Sequence, residues 1–461
     1  MPSSVKRAIF ILIAFLLMPL HAPAVETLQK RLDLKECISI ALKNATSVKK
    51  AENNLGLEGV AVLKSYGSFL PRVSSSASYV PRSINRAYGS NVSGNFGTLS
   101  TTQSRTVALG LTTSLNLFNG LSDYAALQSA IDLKGSAGFT LQRARETIVF
   151  DVTQHYYQAL LDQELLAIAR ENLKSSNDLL TLTDRQYQIG LKSLTDLYQQ
   201  QAEVAGNALS AIKAENQSRK SRLELLRRLR LDPLAEISLE PVDTTSLESL
   251  SPSVDTEKLA LSSLKSRADL QAGRLQTEAA RWQVRSASGS RLPKLDLVFS
   301  ANTDGTSFLK YNNADFTGYY PPLSTQLKDG IGYSVSLNFS WAIFDGFQTR
   351  YAVQTAKTNW LNRRLDYEEL KDGIVLDLRQ AVGDYHAAFT QIDASRASLR
   401  AAGSAFGAVQ RKYELGAAGF VELSNARTTL FNAKSNMMQS TYNLALQKAL
   451  LDYTSGRSVI E

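Results

Sequence analysis

Only one cysteine, Cys37, occurs in 461 residues, so neither an internal disulfide nor a thiolate metal cluster can form within the chain. It does not follow a lipobox-like Leu-x-Gly/Ala sequence, and it reads as a free thiol on a helix, without lipid attachment. Histidine is nearly missing too: there are His21, His155 and His386, and the last two fall at non-equivalent places in the repeat described below. No G-x-S-x-G, P-loop, HExxH or dinucleotide fingerprint is present, so the expectation is a protein without catalytic residues, cofactor or metal. Beyond the first residues no stretch approaches 18 consecutive apolar positions, and any membrane passage must be made by strands rather than helices. Proline is missing between Pro81 and Pro233 and again after Pro322. A proline inside a helix costs about 3 kcal/mol, so these are the places where long helices can run.

What is present begins with an export pattern. Lys6 and Arg7 precede an apolar run, Ala8 to Leu20, too short for a comfortable transmembrane helix, and Ala22-Pro23-Ala24 offers a cleavage site. Residues 1–24 are therefore expected to be a cleaved signal peptide. The net charge of +8 is dispersed along helical segments. Its densest cluster, Arg227, Arg228 and Arg230, lacks interleaved aromatics and suits a solvated helix C-terminus, so no nucleic-acid partner is expected.

The chain is written twice. Phe118-Asn119-Gly120 answers Phe344-Asp345-Gly346, and Tyr187-Gln188-Ile189-Gly190 answers Tyr413-Glu414-Leu415-Gly416, both at an offset of 226. That register holds without a gap from Leu111/Leu337 to Leu197/Leu423. Upstream, Leu70-Pro71-Arg72-Val73 answers Leu292-Pro293-Lys294-Leu295 at an offset of 222, so the slack lies in the loop between. A period this long marks two copies of a large unit, not a solenoid. The expected organisation is a first repeat over 25–231, a linker over 232–254 rich in Pro, Ser and Thr, and a second repeat over 255–461. Each repeat reads as a helix (Leu32 to about Ser68; Asp255 to about Ser288), a strand, a polar loop, a second strand and two long helices.

The second strands alternate strictly. Over Ile331 to Phe344, Tyr333, Val335, Leu337, Phe339 and Trp341 occupy one face, and Gly332, Ser334, Ser336, Asn338 and Ser340 the other. Thr106 to Asn116 repeats this, with Val107, Leu109, Leu111 and Leu115 on the apolar face. Weaker partner strands lie near Val73 to Tyr79 and Leu295 to Ala301. A soluble sandwich also alternates, but strands of about 12 to 14 residues exceed its usual ~5–6 and suit a tilted membrane strand. The small, uncharged face fits a water-filled lumen, and the apolar face fits outer-membrane lipid. Four strands cannot close a barrel, and open edges are not tolerated in hydrocarbon, so further copies must complete it: two copies or three.

In the helices, large residues recur every seven: Val152, Leu166, Leu173, Leu180 and Tyr187, with Ala159 in the series, then Leu378, Tyr385, Ile392, Leu399, Phe406 and Tyr413, then Leu423, Leu430, Met437, Leu444 and Leu451. This spacing argues coiled-coil packing, and roughly 65 residues at ~1.5 Å each make helices near 100 Å long. Gly190 and Gly416 mark the turns as left-handed caps. Asp196 and Glu422 follow in the first turn of each returning helix, where a carboxylate complements the dipole.

Together these residues resemble the TolC family of outer-membrane efflux and secretion channels over nearly the whole mature chain. The resemblance is carried by the opening Leu32-x-Leu34-x-x-Cys37-x-x-x-Ala41-Leu42-x-Asn44, the Leu-Pro-Arg/Lys steps, the Phe-Asn/Asp-Gly exits and the Tyr-x-x-Gly turns, in this order and duplicated. It implies an α+β membrane protein: a homotrimer with a 12-stranded transmembrane β-barrel continued by a long α-helical periplasmic barrel. The implied role is the exit duct of a tripartite efflux or type I secretion system, with a periplasmic adaptor and an ABC or proton-driven inner-membrane pump as partners. The turns at Tyr187, Gly190, Tyr413 and Gly416 would face the adaptor. The family's acidic constriction falls on Glu422 and Asn425, with Asp196 beside them. The second ring position is an amide here, and Ala418 stands where a basic residue is common, so one carboxylate ring and fewer ionic ties are expected. The competing reading, a structural or adhesive coiled-coil surface protein, needs neither duplicated strand pairs nor uncharged inner faces.

Overall fold

The computed structural model describes residues 30–88, 99–235, 237–241 and 255–457. The signal segment 1–24, most of the 232–254 linker and residues 89–98, in the polar loop between the first repeat's two strands, lie outside the described residues. In chain order the elements are β1 (Lys30–Leu32), α1 (Leu34–Asn44), α2 (Thr46–Gly67), β2 (Arg72–Tyr88), β3 (Leu99–Phe118), α3 (Ser122–Gln188), α4 (Leu194–Leu229), β4 (Ile237–Leu239), α5 (Thr256–Ser266) and α6 (Ala268–Gly289). They continue as β5 (Lys294–Tyr311), β6 (Ala314–Asp315), α7 (Leu323–Asp329), β7 (Gly332–Ser340), α8 (Gln348–Glu414) and α9 (Phe420–Ser455).

The duplication holds element by element. Adding 226 to the bounds of α3 and α4 gives those of α8 and α9, and adding 222 to α1 and α2 gives α5 and α6. Both long helices have 67 residues and both returning helices 36. The seven-residue series packs best in the second repeat: Leu378, Tyr385, Ile392, Tyr413, Leu423, Met437, Leu444 and Leu451 are buried, whereas in the first only Val152 is, with Leu166, Leu173 and Leu180 half-buried and Tyr187 exposed. Small residues between them admit close approach, as where the Ser395 and Ser440 hydroxyls meet at 2.8 Å.

Three expectations are corrected. The opening helix of each repeat is two helices, broken at Ala45 (ψ 123°) and at its counterpart Arg267 (ψ 123°). A single extended ψ redirects the chain while the preceding helix keeps its last bonds, Ala45 N–H to Ala41 O and Arg267 N–H to Ser263 O. Leu32 is in a strand, not a helix: β1 pairs in parallel with β4, Leu32 opposite Leu239, so the linker contributes a structural strand. Finally, β7 stops at Ser340, short of Phe344. Ser340 is the partner of Lys294, the first residue of β5, and Pro293 before it has no N–H to extend the ladder. The other three strands are longer than expected, at 17, 20 and 18 residues.

The chain divides into two compact units. The first takes in Met1–Ala45, Ile148–Pro252 and Ala387–Ala449. Its core gathers Leu32, Cys37 and Ala41 with Val152, Tyr156, Leu160, Leu225, Leu229 and Tyr442. The Tyr156 hydroxyl donates to Glu240 O at 2.7 Å, securing the end of β4. The second unit takes in Thr46–Thr147, Ser253–His386 and Leu450–Glu461. It holds an antiparallel sheet in the order β2-β3-β5-β7, with β6 on the far end of β5.

Candidate functional site

In the second unit the ladder sorts side chains to two faces, because directly opposed residues share a face. Leu111 opposes Ala301, which opposes Tyr333; Thr113 opposes Phe299, which opposes Val335; Leu115 opposes Leu297, which opposes Leu337. Val107 and Leu109 continue this apolar face on β3, and Phe339 on β7. Tyr333, Val335, Leu337 and Phe339 are 61–71% exposed, an apolar surface that water would not stabilise on a soluble protein. Trp341 lies past the end of β7, and its indole N–H donates to Arg291 O at 3.1 Å rather than continuing the alternation.

The opposite face carries Thr112, Ser300 and Ser334 in one row and Gly110, Asn302 and Gly332 in another. It is not free of charge, as β3 and β7 alone suggested. Register puts Asp296 between Asn116 and Asn338, and Asp304 opposite Ala108. The Asn116 amide donates to Asp296 Oδ1 at 2.9 Å. The alternation of Leu295 to Ala301 already assigned Asp296 to this face; that signal was in the sequence.

In the first unit the ends of the two helical hairpins are built alike and then diverge. Gly190 and Gly416 both have φ +77°, the left-handed region that favours glycine. Gly190 N–H bonds Tyr187 O and Leu191 N–H bonds Gln186 O; Gly416 N–H bonds Tyr413 O and Ala417 N–H bonds Lys412 O. Each is a Schellman cap. Asp196 sits in a full capping box: its backbone N–H bonds the Ser193 hydroxyl at 3.1 Å, and its carboxylate accepts from the Ser193 N–H at 3.1 Å. At the equivalent place in α9 the cap residue is Gly419, which has no side chain, so Glu422 lacks that partner. Glu422 and Asn425 both stand exposed. Their spacing of three puts them on one face of the first turn.

The two turn tyrosines have opposite fates. Tyr187 is 38% exposed, whereas Tyr413 is 1% exposed, packed with Ala418 and Leu423. The Lys192 ammonium caps its ring 4.0 Å from the centroid. Tyr413 is thus part of the internal packing of the turn. Beside it lies a cavity of about 390 Å³, lined by Leu179, Phe406, Tyr413, Leu423 and Arg427 among others. Sequence reading missed Arg427. Its side chain is almost wholly buried and bonds the Glu203 carboxylate at 2.5 Å, tying α9 to α4. Nothing in the seven-residue pattern signals that pair.

Cys37 is buried, and loss of hydration, with Asp33 and Glu36 adding to it, pushes its thiol up from 9.0 to about 12. Among the described residues no His/Cys/Asp/Glu group could hold a metal ion, and no helix is long and apolar enough to cross a membrane.

The family model described as "Outer membrane efflux protein" matches residues 37–229 and 259–457, once per repeat. The chain is 23% identical to outer membrane protein TolC of Escherichia coli K12 over 71% of its own length and 65% of that protein's, so it spans about two thirds of TolC. It is 23% identical to the alkaline protease secretion protein AprF of Pseudomonas aeruginosa, over 74% of this chain and 69% of AprF. The fold is that of the Vibrio cholerae outer membrane protein VceC, with a TM-score of 0.77 at 16% identity, covering 93% of this chain and 97% of that one. The Campylobacter jejuni CmeC outer membrane channel gives 0.77 at 18%, covering 92% and 85%. Two matched repeats spanning most of the sequence place this chain in the outer membrane efflux protein family.

Proposed function

We propose that this chain is the outer-membrane exit duct of a tripartite efflux or type I secretion system, a passive conduit exported to the outer membrane of a Gram-negative cell. The observation that carries this is the sheet: three long strands and the shorter β7, with one apolar, exposed face, one small and polar face, and two edges without a partner strand among the described residues. In hydrocarbon an open edge leaves N–H and C=O groups unbonded, so the sheet is stable there only as part of a closed barrel. Three copies give twelve strands, the homotrimer of the TolC family. The long helices then stand in the periplasm. A periplasmic adaptor docks on the hairpin turns around Tyr187, Gly190 and Gly416, and an inner-membrane pump supplies the energy.

Glu422 is the constriction carboxylate in this reading, with Asn425 and Asp196 near it. Its support is local: Asp196 is bonded within its own capping box, while Glu422, at the matching position, is exposed and has Gly419, without a side chain, at its cap. A carboxylate not held by its own helix terminus can face a pore and hold cations there. Planar-bilayer recording of the purified chain tests both levels. Ion-conducting channels are expected, and Glu422→Gln should lower cation preference and relieve block by multivalent cations. A protein that conducts nothing would sink the duct reading in favour of a structural coiled coil. Conduction with selectivity unchanged in Glu422→Gln would sink only the ring.

A further inference from the structure

The sheet places its basic residues differently at its two ends. At one end β2, β3, β5 and β7 connect to α2, α3, α6 and α8; at the other they connect through loops. At the helix end β2 and β5 begin with Arg72 and Lys294. Both lie on the polar face, opposed to Ser114 and Ser340. At the loop end the basic residues change face. Arg105 is two residues from Val107 in β3 and so shares the apolar face. Arg86 opposes Thr101, four residues further along that face. The register shift between Val80 and Ser83 leaves Pro81 and Arg82 together against Arg105, and the Arg82 guanidinium donates to Gln103 Oε1 at 3.0 Å. Gln103 again belongs to the face of Arg105. No carboxylate on these strands answers the three arginines: β2 and β3 contain no acidic residue, and Asp296 and Asp304 of β5 lie on the polar face. A fourth basic residue, Lys310, opposes Gln103, but Asp315 of β6 opposes Lys310 in turn. Arg105 Nε is buried without a hydrogen-bond partner.

We propose that Arg82, Arg86 and Arg105 form a binding patch for a phosphate-bearing glycolipid of the outer leaflet. This rests on the channel reading above, which sets the helix end in the periplasm and the loop end outside. Depth along the strand supports it. Val107 to Leu115 covers about 27 Å of strand, a little over 20 Å of height at a tilt of ~40°, close to the ~25 Å apolar band of a membrane barrel. Arg105 therefore stands at the outer margin of that band, at headgroup level. Strand rise and spacing put the other two arginines within about 15 Å of it. A lipid seated there lays its acyl chains on Val107 and Leu109 and its phosphates on the arginines. Guanidinium suits the task, because its planar fork donates two parallel hydrogen bonds to phosphate oxygens and carries its charge at every working pH. A charged margin that served only to meet water would be expected at both ends of the apolar face. It is found at one, the side on which the headgroups would be phosphorylated sugars.

The test uses the full chain purified in detergent and titrated with purified lipopolysaccharide, the bound lipid being counted by native mass spectrometry. Two further probes are the same lipid stripped of its phosphates and phosphatidylglycerol. The intact glycolipid should bind best, and added salt should weaken it. Arg82→Gln, Arg86→Gln and Arg105→Gln should each weaken binding roughly fivefold, and together on the order of a hundredfold. Arg72→Gln, on the polar face at the other end, should bind as the wild type does. Strand content by circular dichroism and oligomer mass check that each variant is folded; should the triple variant not assemble, the single variants still read one step each. Equal binding of the stripped lipid or of phosphatidylglycerol overturns the patch and leaves the channel standing. So does wild-type binding by folded arginine variants. A wild-type chain that conducts nothing in planar bilayers removes the channel reading itself.

Discussion

Breaking the buried ion pair at the hairpin ends should loosen them far more than removing it whole. Arg427 is 2% exposed at its side chain and Glu203 17%, and their 2.5 Å bond leaves Arg427 Nε and Glu203 Oε2 buried without a further partner. The pair is desolvated but only partly satisfied, so it adds little net stability, while either member alone is a stranded charge. Removing one partner of such a pair costs about 3–5 kcal/mol, whereas replacing both with apolar side chains of similar size is neutral or gains about 1–4 kcal/mol. Arg427→Met and Glu203→Gln should each lower the free energy of local opening, and about 3 kcal/mol corresponds to roughly two orders of magnitude in amide protection. Hydrogen exchange of peptides covering the first turns of α4 and α9 reads this directly, with peptides from the β1–β4 core as the internal reference. Arg427→Met combined with Glu203→Met should return protection to the wild-type level or above. Single variants that exchange at wild-type rates would refute the reasoning. So would a double variant more labile than either single one.

Three further outcomes follow from the caps and the thiol. Ser193→Ala removes the side-chain acceptor that caps α4 and should destabilise its first turn by about 1 kcal/mol, seen as faster exchange there. Gly419→Ser creates a Ser-x-x-Glu box that gains only a few tenths of a kcal/mol but draws the Glu422 carboxylate onto its own backbone. Channel cation selectivity should then move toward that of Glu422→Gln; unchanged selectivity would count against the pore-facing carboxylate. Cys37 should resist maleimide at pH 8 in the folded protein and react once it is unfolded. Its raised pKa means that the folded state favours the neutral thiol. That stabilisation is complete below about pH 9 and is lost as pH rises from 9.0 toward about 12, where the unfolded chain ionises first. Fast labelling of the native protein at pH 8 would contradict the buried site.

Much of this protein could be read from its residues because the determining forces are local or periodic. The 226-residue offset established the equivalence of α3 with α8 and α4 with α9, down to two glycines with the same φ. Period-two alternation assigned Val107 through Leu115 and Tyr333 through Phe339 to one face, because strand geometry leaves a side chain no other choice. What the sequence did not determine depends on contacts between distant segments. The end of β7 was set by where its partner β5 begins, and the identity of Leu32 as strand by Leu239, some two hundred residues away. Tyr187 and Tyr413 hold the same place in matching helix caps, yet one is exposed and the other buried, since only the second lies where Leu179, Phe406 and Leu423 close over it. Arg427 and Glu203 carry no pattern that links them; a charge pair inside a helical bundle is created by the packing that excludes water from it, and that exclusion exists only in three dimensions.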